Sequence, residues 1–369
     1  MDFELDEDQL ELQRVVRDVV ERECPPSLVR AVVAGADDGA ALWKVLVQLD
    51  WPGLAVPADE GGVGLTFVEL VIALEELGRV ADPTPFLATT SQYLPMVREA
   101  GDTASRGDLV AAVLAGGSGT VAFAADTVRA GRDGAAWRLH GSARHVVDGD
   151  RADEVAVVAG TGDDAGGPGV FVVPRGDLRA ERAPTFDGSL HVADLHLDGV
   201  AVPADRALGG AGIDRATEQA VTGLAAVTVG AAQRILDLVV GHVRDRHQFG
   251  VPIGSFQAVK HMAVDVYVAV ERARALVHFA ALALAEDDPR RTLAASMAKA
   301  AAGDAQRIAA RHGIQLFGGL GFTWENDLQL YVRRAKAGEL LLGTGAEHRR
   351  RIALMTLAGR QGHDQEATR

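Results

Sequence analysis

The sequence predicts a mainly helical protein with a β domain inserted between two helical domains. Apolar residues recur at helical spacing in the first third of the chain and again from Ile213 onward. Between about Gly117 and Ala207 the pattern changes to short β-prone runs separated by Gly/Asp turns. At 369 residues the chain is long enough for more than one hydrophobic core. The predicted domains are an N-terminal helical domain (1–116), a middle β domain (117–207) and a C-terminal helical bundle (208–369).

Two amphipathic patterns separated by a loop predict the N-terminal domain. The first consists of helix-spaced leucines and valines, namely Leu5, Leu10, Leu12, Val15, Val16 and Val19. A Pro/Gly segment from Pro52 to Gly64 interrupts the helical pattern, which resumes from Phe67 to Gly78. Glu75 and Glu76 lie late in that helix, and we expect them to be solvated or structural rather than catalytic.

Short β-prone runs predict a small antiparallel sheet in the middle domain. These runs are Val121–Phe123, Trp137–Leu139, Glu154–Val158 and Val170–Val173. A Gly/Asp-rich turn from Thr161 to Pro168 separates the last two runs. The segment LHVADLHLDGVAVP alternates apolar and polar residues, and we predict a strand pair there with a turn near Asp198 and Gly199.

Long apolar-periodic runs predict a bundle of four antiparallel helices in the C-terminal domain. The runs are Ala220–Val243, Phe256–Leu284, Leu293–Ile308 and Ala346–Leu357. Ser255 is the expected N-cap of the second helix. A glycine-rich turn at Gly318, Gly319 and Gly321 follows the third.

Composition limits the partners and the compartment that we expect. The formal charge of −14 argues against nucleic acid or an anionic membrane as the main partner. Cys24 is the single cysteine, so no disulfide can form within the chain and a reducing compartment fits best. The start, MDFELDEDQL, is acidic and lacks the basic region of a signal peptide. We therefore expect a cytoplasmic protein without a membrane span, and we predict no metal site.

Two segments of the last third have the composition of an anion site. The first, RDRHQFGVPIGSFQAVKHMAVD, runs from Arg244 to Asp265, and the second, QLFGGLGFTWENDLQLYVRRAKAGELLLGTGAEH, runs from Gln315 to His348. An arginine fork matches phosphate oxygens, and glycines let backbone N–H groups approach a ligand closely. Glycines at the end of a helix also serve as simple caps, so the second segment alone is a weak signal.

Together the two segments resemble the acyl-CoA dehydrogenase family, whose members carry R-x-x-F-G-x-P-I-x-x-F-Q and then Q-x-x-G-G-x-G. The N-terminal segment WPGLAVPADEGGVGLTFVELVIALEELGR resembles the first helical domain of that family. The resemblance covers nearly the whole chain and is weakest in the middle third. It implies an acyl-CoA dehydrogenase-like fold, with an N-terminal helical domain, a β-barrel-like middle domain and a C-terminal four-helix bundle. It also implies flavin adenine dinucleotide (FAD) at a subunit interface.

In the family, one subunit surrounds the flavin ring and holds the acyl thioester, while its neighbour reaches across to the pyrophosphate and adenosine. By resemblance, Arg246 pairs with the pyrophosphate, Phe249 packs on the adenosine half and Gln257 donates hydrogen bonds. Gln315 offers a side-chain amide, and Gly318 and Gly319 offer close backbone. The expected cofactor-binding residues, which we call the outward set, are Arg246, Gln248, Phe249, Gln257, Gln315, Gly318 and Gly319.

The other half of the site, which a subunit builds for its own flavin ring, lacks its family residues. Family members use a carboxylate to remove the α-proton, and a positioned general base contributes on the order of 10² to 10⁴ in rate. Leu342 stands where the common base precedes the Gly-Thr turn. A minority of the family places the base on the first helix of the C-terminal domain, and this chain has Ala220 there, followed by Val221 in place of an arginine. We therefore expect this chain to contain no catalytic residue.

The middle domain departs from the family in the same direction. AFAADTVRAGRD, residues 122–133, stands where the family has a T-E-P-x-x-G-S-D-like loop that binds flavin and substrate. His145 stands at the position of the aromatic residue beside the flavin. The joint loss of base, arginine, loop and aromatic, with the outward set kept, is hard to attribute to drift.

This asymmetry suggests a subunit that lends half of a flavin site to a homologous partner carrying the catalytic glutamate and the acyl-CoA. Such pairs resemble the heteromeric (α2β2) acyl-CoA dehydrogenases of actinobacterial steroid side-chain breakdown, in which one subunit lacks the base. The basic residues are almost all arginine, which fits a GC-rich genome. The only lysines are Lys44, Lys260, Lys299 and Lys336.

Two other hypotheses remain open from the sequence. The first is a homo-oligomer whose base has moved to Glu339, one helical turn before Leu342, or to Glu218, near Ala220. Glu347 is a weaker candidate, because we expect it to stabilise the start of a helix. The second is a non-redox protein of the same fold that binds acyl-CoA or serves as a scaffold.

Overall fold

The computed structural model describes residues 5–162 and 167–366. Its α-helices are α1 (Glu7–Glu23), α2 (Pro26–Val33), α3 (Ala40–Gln48), α4 (Phe67–Arg79), α5 (Phe86–Ala88), α6 (Leu94–Ala100), α7 (Thr103–Leu114), α8 (Ile213–Asp245), α9 (Gln257–Ala285), α10 (Arg291–Phe317), α11 (Leu328–Leu340) and α12 (Gly345–Glu366). Its strands are β1 (Gly119–Phe123), β2 (Val128–Asp133), β3 (Ala136–Val147), β4 (Glu154–Thr161), β5 (Pro168–Pro174), β6 (Arg179–Arg182), β7 (Val192–Val202), β8 (Ala207–Leu208), β9 (His247–Gln248) and β10 (Val251–Pro252). This order confirms helices, then a sheet, then helices; the exact domain boundaries stay a prediction.

The chain forms two compact units. The helical unit consists of Met1–Pro26, Val71–Ala81 and Val221–Arg369, and the mixed unit consists of Ser27–Leu70 and Asp82–Ala220. Helices α4 and α8 each contribute residues to both units, because each continues across a unit boundary.

The mixed unit is built on one sheet with the strand order β6-β7-β3-β2-β4-β5-β8, and β1 pairs with β4. The four predicted strands fall within β1, β3, β4 and β5. The sheet is mixed rather than antiparallel, because β4 runs parallel to both β1 and β2. It is also open among the described residues, since β6 and β8 end the path. The predicted turn at Thr161–Pro168 lies partly outside the described residues.

Alternating residues of the sheet belong to two hydrophobic clusters. Val121, Ala156 and Val172 pack with residues of α6 and α7, whereas Ala122, Val155 and Phe171 pack with residues of β3 and β7. This division follows from the two-residue period of a strand, which sends neighbouring side chains to opposite faces.

The predicted strand pair near Asp198 and Gly199 is wrong, because β7 runs through both residues. Its register against β3 shifts at this point: His140 pairs with Asp198 and Leu139 pairs with Val200. Gly199 is left over with φ +69°, a left-handed value that a bulge accommodates most easily at glycine. The sequence signal for a turn therefore marks a β-bulge.

Helices α8 to α12 form the C-terminal part of the helical unit and contain the four predicted helical runs. Helix α8 is long and apolar enough to cross a membrane, but 72% of its most apolar window is buried, as is typical of a core helix. The predicted N-cap of α9 is wrong by one residue. Phe256 holds the N-cap position, and the Ser255 hydroxyl donates instead to the Pro252 carbonyl at 2.7 Å.

Glu75 and Glu76 were expected to be either solvated or structural, and the structure shows that both have structural roles. Both are buried, and their carboxylates lie among arginines of the same unit. Glu76 accepts from Arg17 at 2.7 Å, and Glu75 accepts from Arg274 at 2.8 Å. Because removing one partner of a buried ion pair leaves an uncompensated charge, these pairs tie α1, α4 and α9 together.

Candidate functional site

The first motif forms a short β-hairpin between α8 and α9. The backbone N–H of Arg246 donates to the His242 carbonyl at 2.9 Å, and the Arg246 carbonyl accepts from Ile253 at 2.8 Å. Strands β9 and β10 pair antiparallel around the two-residue turn Phe249-Gly250. Arg246 therefore lies at the base of the hairpin and Phe249 at its tip.

Phe249 occupies a backbone conformation that a bulky side chain rarely takes. Its φ is +54°, and the following Gly250 has φ +82°, so both central residues of the turn are left-handed. The Phe249 side chain is 93% exposed, and its ring meets the Phe256 ring edge-on at 6.2 Å. The strained backbone and the exposed ring both make an aromatic residue energetically unfavourable at this position. Strained residues of this kind cluster at functional sites.

The second motif forms the turn after α10. The N–H of Gly318 caps this helix through the carbonyls of Gln315 and Ile314. Gly318 has φ +61° and ψ −137°, a combination essentially confined to glycine. A Cβ atom built on Gly318 or Gly319 would meet no atom within 4 Å, so the turn faces open space. Gln315 is exposed on the last turn of the same helix.

A ring stack connects the two turns, and sequence reasoning missed it. The His242 and Phe317 rings lie 4.3 Å apart with an interplanar angle of 14°. His242 is one helical turn before Arg246, and Phe317 directly precedes Gly318. The only available signal was position, since each ring lies at the end of its helix, next to a predicted site residue.

The outward set is accessible and carries an available positive charge. All seven residues are exposed. Within residues 5–162 and 167–366, the Arg246 guanidinium makes no ion pair, although arginines in this protein are usually paired with carboxylates. An unpaired guanidinium beside an open glycine turn suits the diphosphate of a dinucleotide, and the exposed Phe249 ring suits an adenine. Gln248 uses its amide locally, donating to the His247 carbonyl at 2.7 Å.

The turn that follows α11 places Leu342 where the family base is expected. Leu342 is left-handed, with φ +53°, and is partly buried. Lys299 and His348 fix this turn from the bundle side. The Lys299 ammonium donates to the Glu339 carbonyl at 3.1 Å and to the Gly343 carbonyl at 2.8 Å, and His348 Nε2 lies 3.0 Å from the Leu342 carbonyl. The turn is well anchored but presents an aliphatic side chain.

Burial lowers the pKa values of the two anchoring groups, Lys299 and His348. It lowers the pKa of Lys299 to about 8, although Glu339 and Glu347 oppose the shift. Burial also lowers the pKa of His348, although its hydrogen bond with the Leu342 carbonyl opposes the shift. Both groups serve the backbone of the turn.

The second family position for a base is closed. Ala220 is 0% exposed and Val221 is 4% exposed. The neighbouring Gln219 lines a cavity of about 20 Å³ together with Leu70, Thr90 and Leu94. A cavity of this size holds roughly one water molecule, so an acyl chain does not fit in it.

The alternative carboxylates have local roles or are buried. Glu339 pairs with Lys336 at 2.5 Å, and its side chain lies against Gly303 of α10. Glu347 accepts from the N–H and the hydroxyl of Thr344 at 2.7 and 2.9 Å. This confirms the expectation that Glu347 stabilises the start of a helix, here α12. Glu218 is buried, with 7% of its surface exposed.

The middle-domain positions also differ from a flavin-binding arrangement. The 122–133 segment forms the end of β1, a tight turn and β2; the Ala124 carbonyl accepts from Thr127 at 3.0 Å and from Val128 at 2.8 Å. His145 is exposed in a bulge of β3, has φ +57°, and donates its backbone N–H to Asp194 at 2.9 Å. The turn contains neither a threonine–glutamate pair nor a glycine–serine pair.

Comparisons with known proteins agree with the fold. Residues 6–117 match the acyl-CoA dehydrogenase N-terminal domain, and residues 210–356 match the acyl-CoA dehydrogenase C-terminal domain. Acyl-CoA dehydrogenase IpdE2 of Mycobacterium tuberculosis is 34% identical over 351 residues, which cover 94% of this chain and 96% of the relative.

Two solved structures with paired names superpose closely. A chain in the ChsE4-ChsE5 complex from Mycobacterium tuberculosis has a TM-score of 0.89 at 28% identity, covering 97% of this chain and 99% of that chain. A chain of the Tcur3481-Tcur3483 steroid ACAD has a TM-score of 0.87 at 30% identity, covering 96% and 99%. Since both terminal domains match and a relative above 30% identity spans nearly the whole chain, the protein belongs to the acyl-CoA dehydrogenase family, whose cofactor is FAD.

Proposed function

We propose that this chain is the non-catalytic subunit of a heteromeric acyl-CoA dehydrogenase. It contributes the outward set to the FAD of a homologous partner, and the partner supplies the general base and holds the acyl-CoA. The observation that carries this proposal is a contrast within one chain. The outward set is exposed and unobstructed, whereas both base positions, Leu342 and Ala220, are aliphatic.

The contrast matters because the two halves of the reaction need different groups. Bound FAD accepts hydride from the β-carbon of an acyl-CoA, and a carboxylate must remove the α-proton. In this chain, Arg246 would neutralise the diphosphate and Phe249 would cover the adenine. The glycine turn at Gly318 and Gly319 would let backbone N–H groups approach the ligand closely. None of these groups takes a proton from carbon.

A relocated base is the second candidate, and the side-chain geometry argues against it. Glu339 is paired with Lys336 and lies along α10, on the bundle side of its helix. Glu347 is committed to Thr344. Glu218 lies two residues before Ala220, which places its side chain on nearly the opposite side of α8.

The substrate and assembly that we propose follow the relatives. The Tcur3481-Tcur3483 protein is named as a steroid ACAD, and both solved relatives carry paired names. We therefore assign the partner's substrate to steroid- or fatty-acid-derived acyl-CoA thioesters and the assembly to a heterotetramer in the cytoplasm. A second dehydrogenase gene carrying the missing glutamate, next to the gene for this chain, would support the pairing.

Expression with and without the partner tests the proposal. The chain purified alone should retain little FAD and show no acyl-CoA dehydrogenase activity with an artificial electron acceptor. Co-expression with the partner should give a yellow complex with activity. A matched control replaces the partner's catalytic glutamate by glutamine, which should leave the FAD content unchanged and remove activity. Yellow, active protein from this chain alone would contradict the proposal and favour a relocated base.

A further inference from the structure

The stacked rings of His242 and Phe317 are the contact that joins the two halves of the outward set. His242 lies on the last complete turn of α8, and its carbonyl accepts from the N–H of Arg246 at 2.9 Å. Phe317 is the last residue of α10, and the open turn at Gly318 begins immediately after it. The 4.3 Å stack thus sits directly behind both ligand-facing turns.

The helices approach closely one turn before the stack, which gives the rings a fixed base. A Cβ atom built on Gly313 would lie 2.7 Å from Ile235 and 3.9 Å from Val239. Ile235, Val239 and His242 follow one another at helical spacing along α8, as Gly313 and Phe317 do along α10. Beyond the stack both segments leave their helices, so the stack is a ring contact at the very start of both turns.

The His242 ring also senses charge in the outward set. Burial lowers the pKa of His242, and the nearby Arg246 guanidinium lowers it further, whereas Asp245 acts in the opposite direction. Asp245 is the last residue of α8 and Arg246 follows it; from α10 the ring meets Phe317, which carries no charge. A diphosphate held by Arg246 would add negative charge beside the ring and oppose the influence of the arginine on the His242 pKa.

We propose that His242 is a positioning residue for the dinucleotide, which holds the two turns at their working separation through Phe317 and gains a proton when a diphosphate binds at Arg246. This inference rests on the proposed function, because it assumes that the outward set receives the adenosine-diphosphate part of FAD. It adds that capture of the dinucleotide is coupled to proton uptake by this chain.

The coupling has a definite sign. A ligand that raises the pKa of His242 binds the protonated form more tightly, so affinity increases as pH falls through that pKa. A rise of about one pKa unit corresponds to about tenfold tighter binding at low pH. The suitable probe is ADP-ribose, which carries the adenosine and diphosphate of FAD and whose diphosphate does not titrate near neutral pH.

Three forms of the isolated chain test both parts of the proposal: the wild type, His242→Tyr and His242→Ala. Tyrosine retains a ring that can stack on Phe317 but stays neutral below a pKa of about 10, whereas alanine removes the ring. Histidine labelled with ¹³C at Cε1 gives the pKa of His242 by NMR, with and without millimolar ADP-ribose, and His242→Tyr assigns the signal. The same titrations give the affinity for ADP-ribose, and circular dichroism checks that each variant is folded.

In the wild type, the pKa of His242 should rise on adding ADP-ribose, and affinity should increase as pH falls, towards about tenfold for a rise of one pKa unit. His242→Tyr should bind with little pH dependence, and His242→Ala should bind more weakly than His242→Tyr at every pH. An unchanged His242 pKa, or the same pH profile in His242→Tyr as in the wild type, would overturn the coupling. Equal affinities of the two variants would overturn the positioning role. No detectable binding of ADP-ribose to the wild type would overturn both the inference and the proposed role of the outward set, whereas binding that leaves the His242 pKa unchanged would overturn the coupling alone.

Discussion

Arg246 is the residue whose surroundings most directly indicate an anion-binding role. It stands at the base of the hairpin between α8 and α9, and among the described residues its guanidinium has no carboxylate partner. The sequence could predict this residue, because R-x-x-F-G is a compact local motif. It could not predict His242, because the ring stack depends on how the distant ends of α8 and α10 meet.

Replacing Arg246 by alanine should weaken FAD retention in the complex of this chain with its partner. A hydrogen bond to a charged group contributes about 1.5–3 kcal/mol, so we expect the FAD dissociation constant to rise roughly 10- to 100-fold. The measurement is flavin release on dilution, followed by fluorescence. Arg244→Ala, an exposed arginine on the same helix end, is the matched control and should retain FAD. If Arg246→Ala also retains FAD, the chain serves as a non-redox scaffold instead.

Lys299 gives the fold a pH dependence of known sign. Burial lowers its pKa to about 8, below the unfolded value of about 10.4, so the unfolded state binds more protons between these two values. Stability should therefore rise with pH across about 8 to 10.4, by about 3 kcal/mol from this group. Urea unfolding of the wild type and Lys299→Met at several pH values measures the difference. Parallel pH profiles for the two proteins would contradict the shifted pKa.

Helix α8 carries two glycines in opposite situations. A Cβ atom at Gly230 would lie 1.9 Å from the Glu75 carbonyl oxygen of α4, whereas one at Gly241 would meet nothing within 4 Å. The sequence could predict the helix from its apolar period, but not which glycine permits a close helix crossing, because that contact involves residues far apart in the chain. Similarly, the Gly199 bulge was mistaken for a turn, since glycine signals both.

Alanine substitutions at these two positions should therefore have opposite effects. Gly230→Ala forces α4 away from α8, and we expect a loss of about 1–3 kcal/mol in the free energy of unfolding. Gly241→Ala removes a flexible residue from an exposed helix position and should stabilise by about 0.5–1 kcal/mol. Denaturant titration of the helical circular-dichroism signal measures both. Equal effects of the two substitutions would show that α4 and α8 do not cross as closely as described.

The molecule as a whole combines the acyl-CoA dehydrogenase fold with aliphatic side chains at both positions where a general base was expected, Leu342 and Ala220. The three-part architecture was predictable because apolar periodicity changes twice along the chain, at the borders of the sheet. The aliphatic residue at the expected base position was predictable because a single position, Leu342, could be compared with a motif. The sequence could not predict the burial of Ala220 or the local pairing of Glu339, because both depend on packing between residues far apart in the chain.

The proportion of flavin to protein separates the two enzyme hypotheses. If this chain lends its outward set and builds no ring site of its own, the complex should contain one FAD for every two chains. A homo-oligomer with a relocated base should contain one FAD per chain. Native mass spectrometry establishes the composition of the complex. Absorbance at the flavin band then gives the amount of FAD, and amino-acid analysis gives the amount of protein. A full complement of FAD in the heteromer would contradict the loss of the second site.

The hairpin tip has a consequence for the cell. An aromatic ring that is 93% exposed on a strained turn loses contact with water only when another molecule covers it. Under the proposed pairing, matched dosage of the two gene products, as a shared operon transcript provides, would keep this ring covered in every copy.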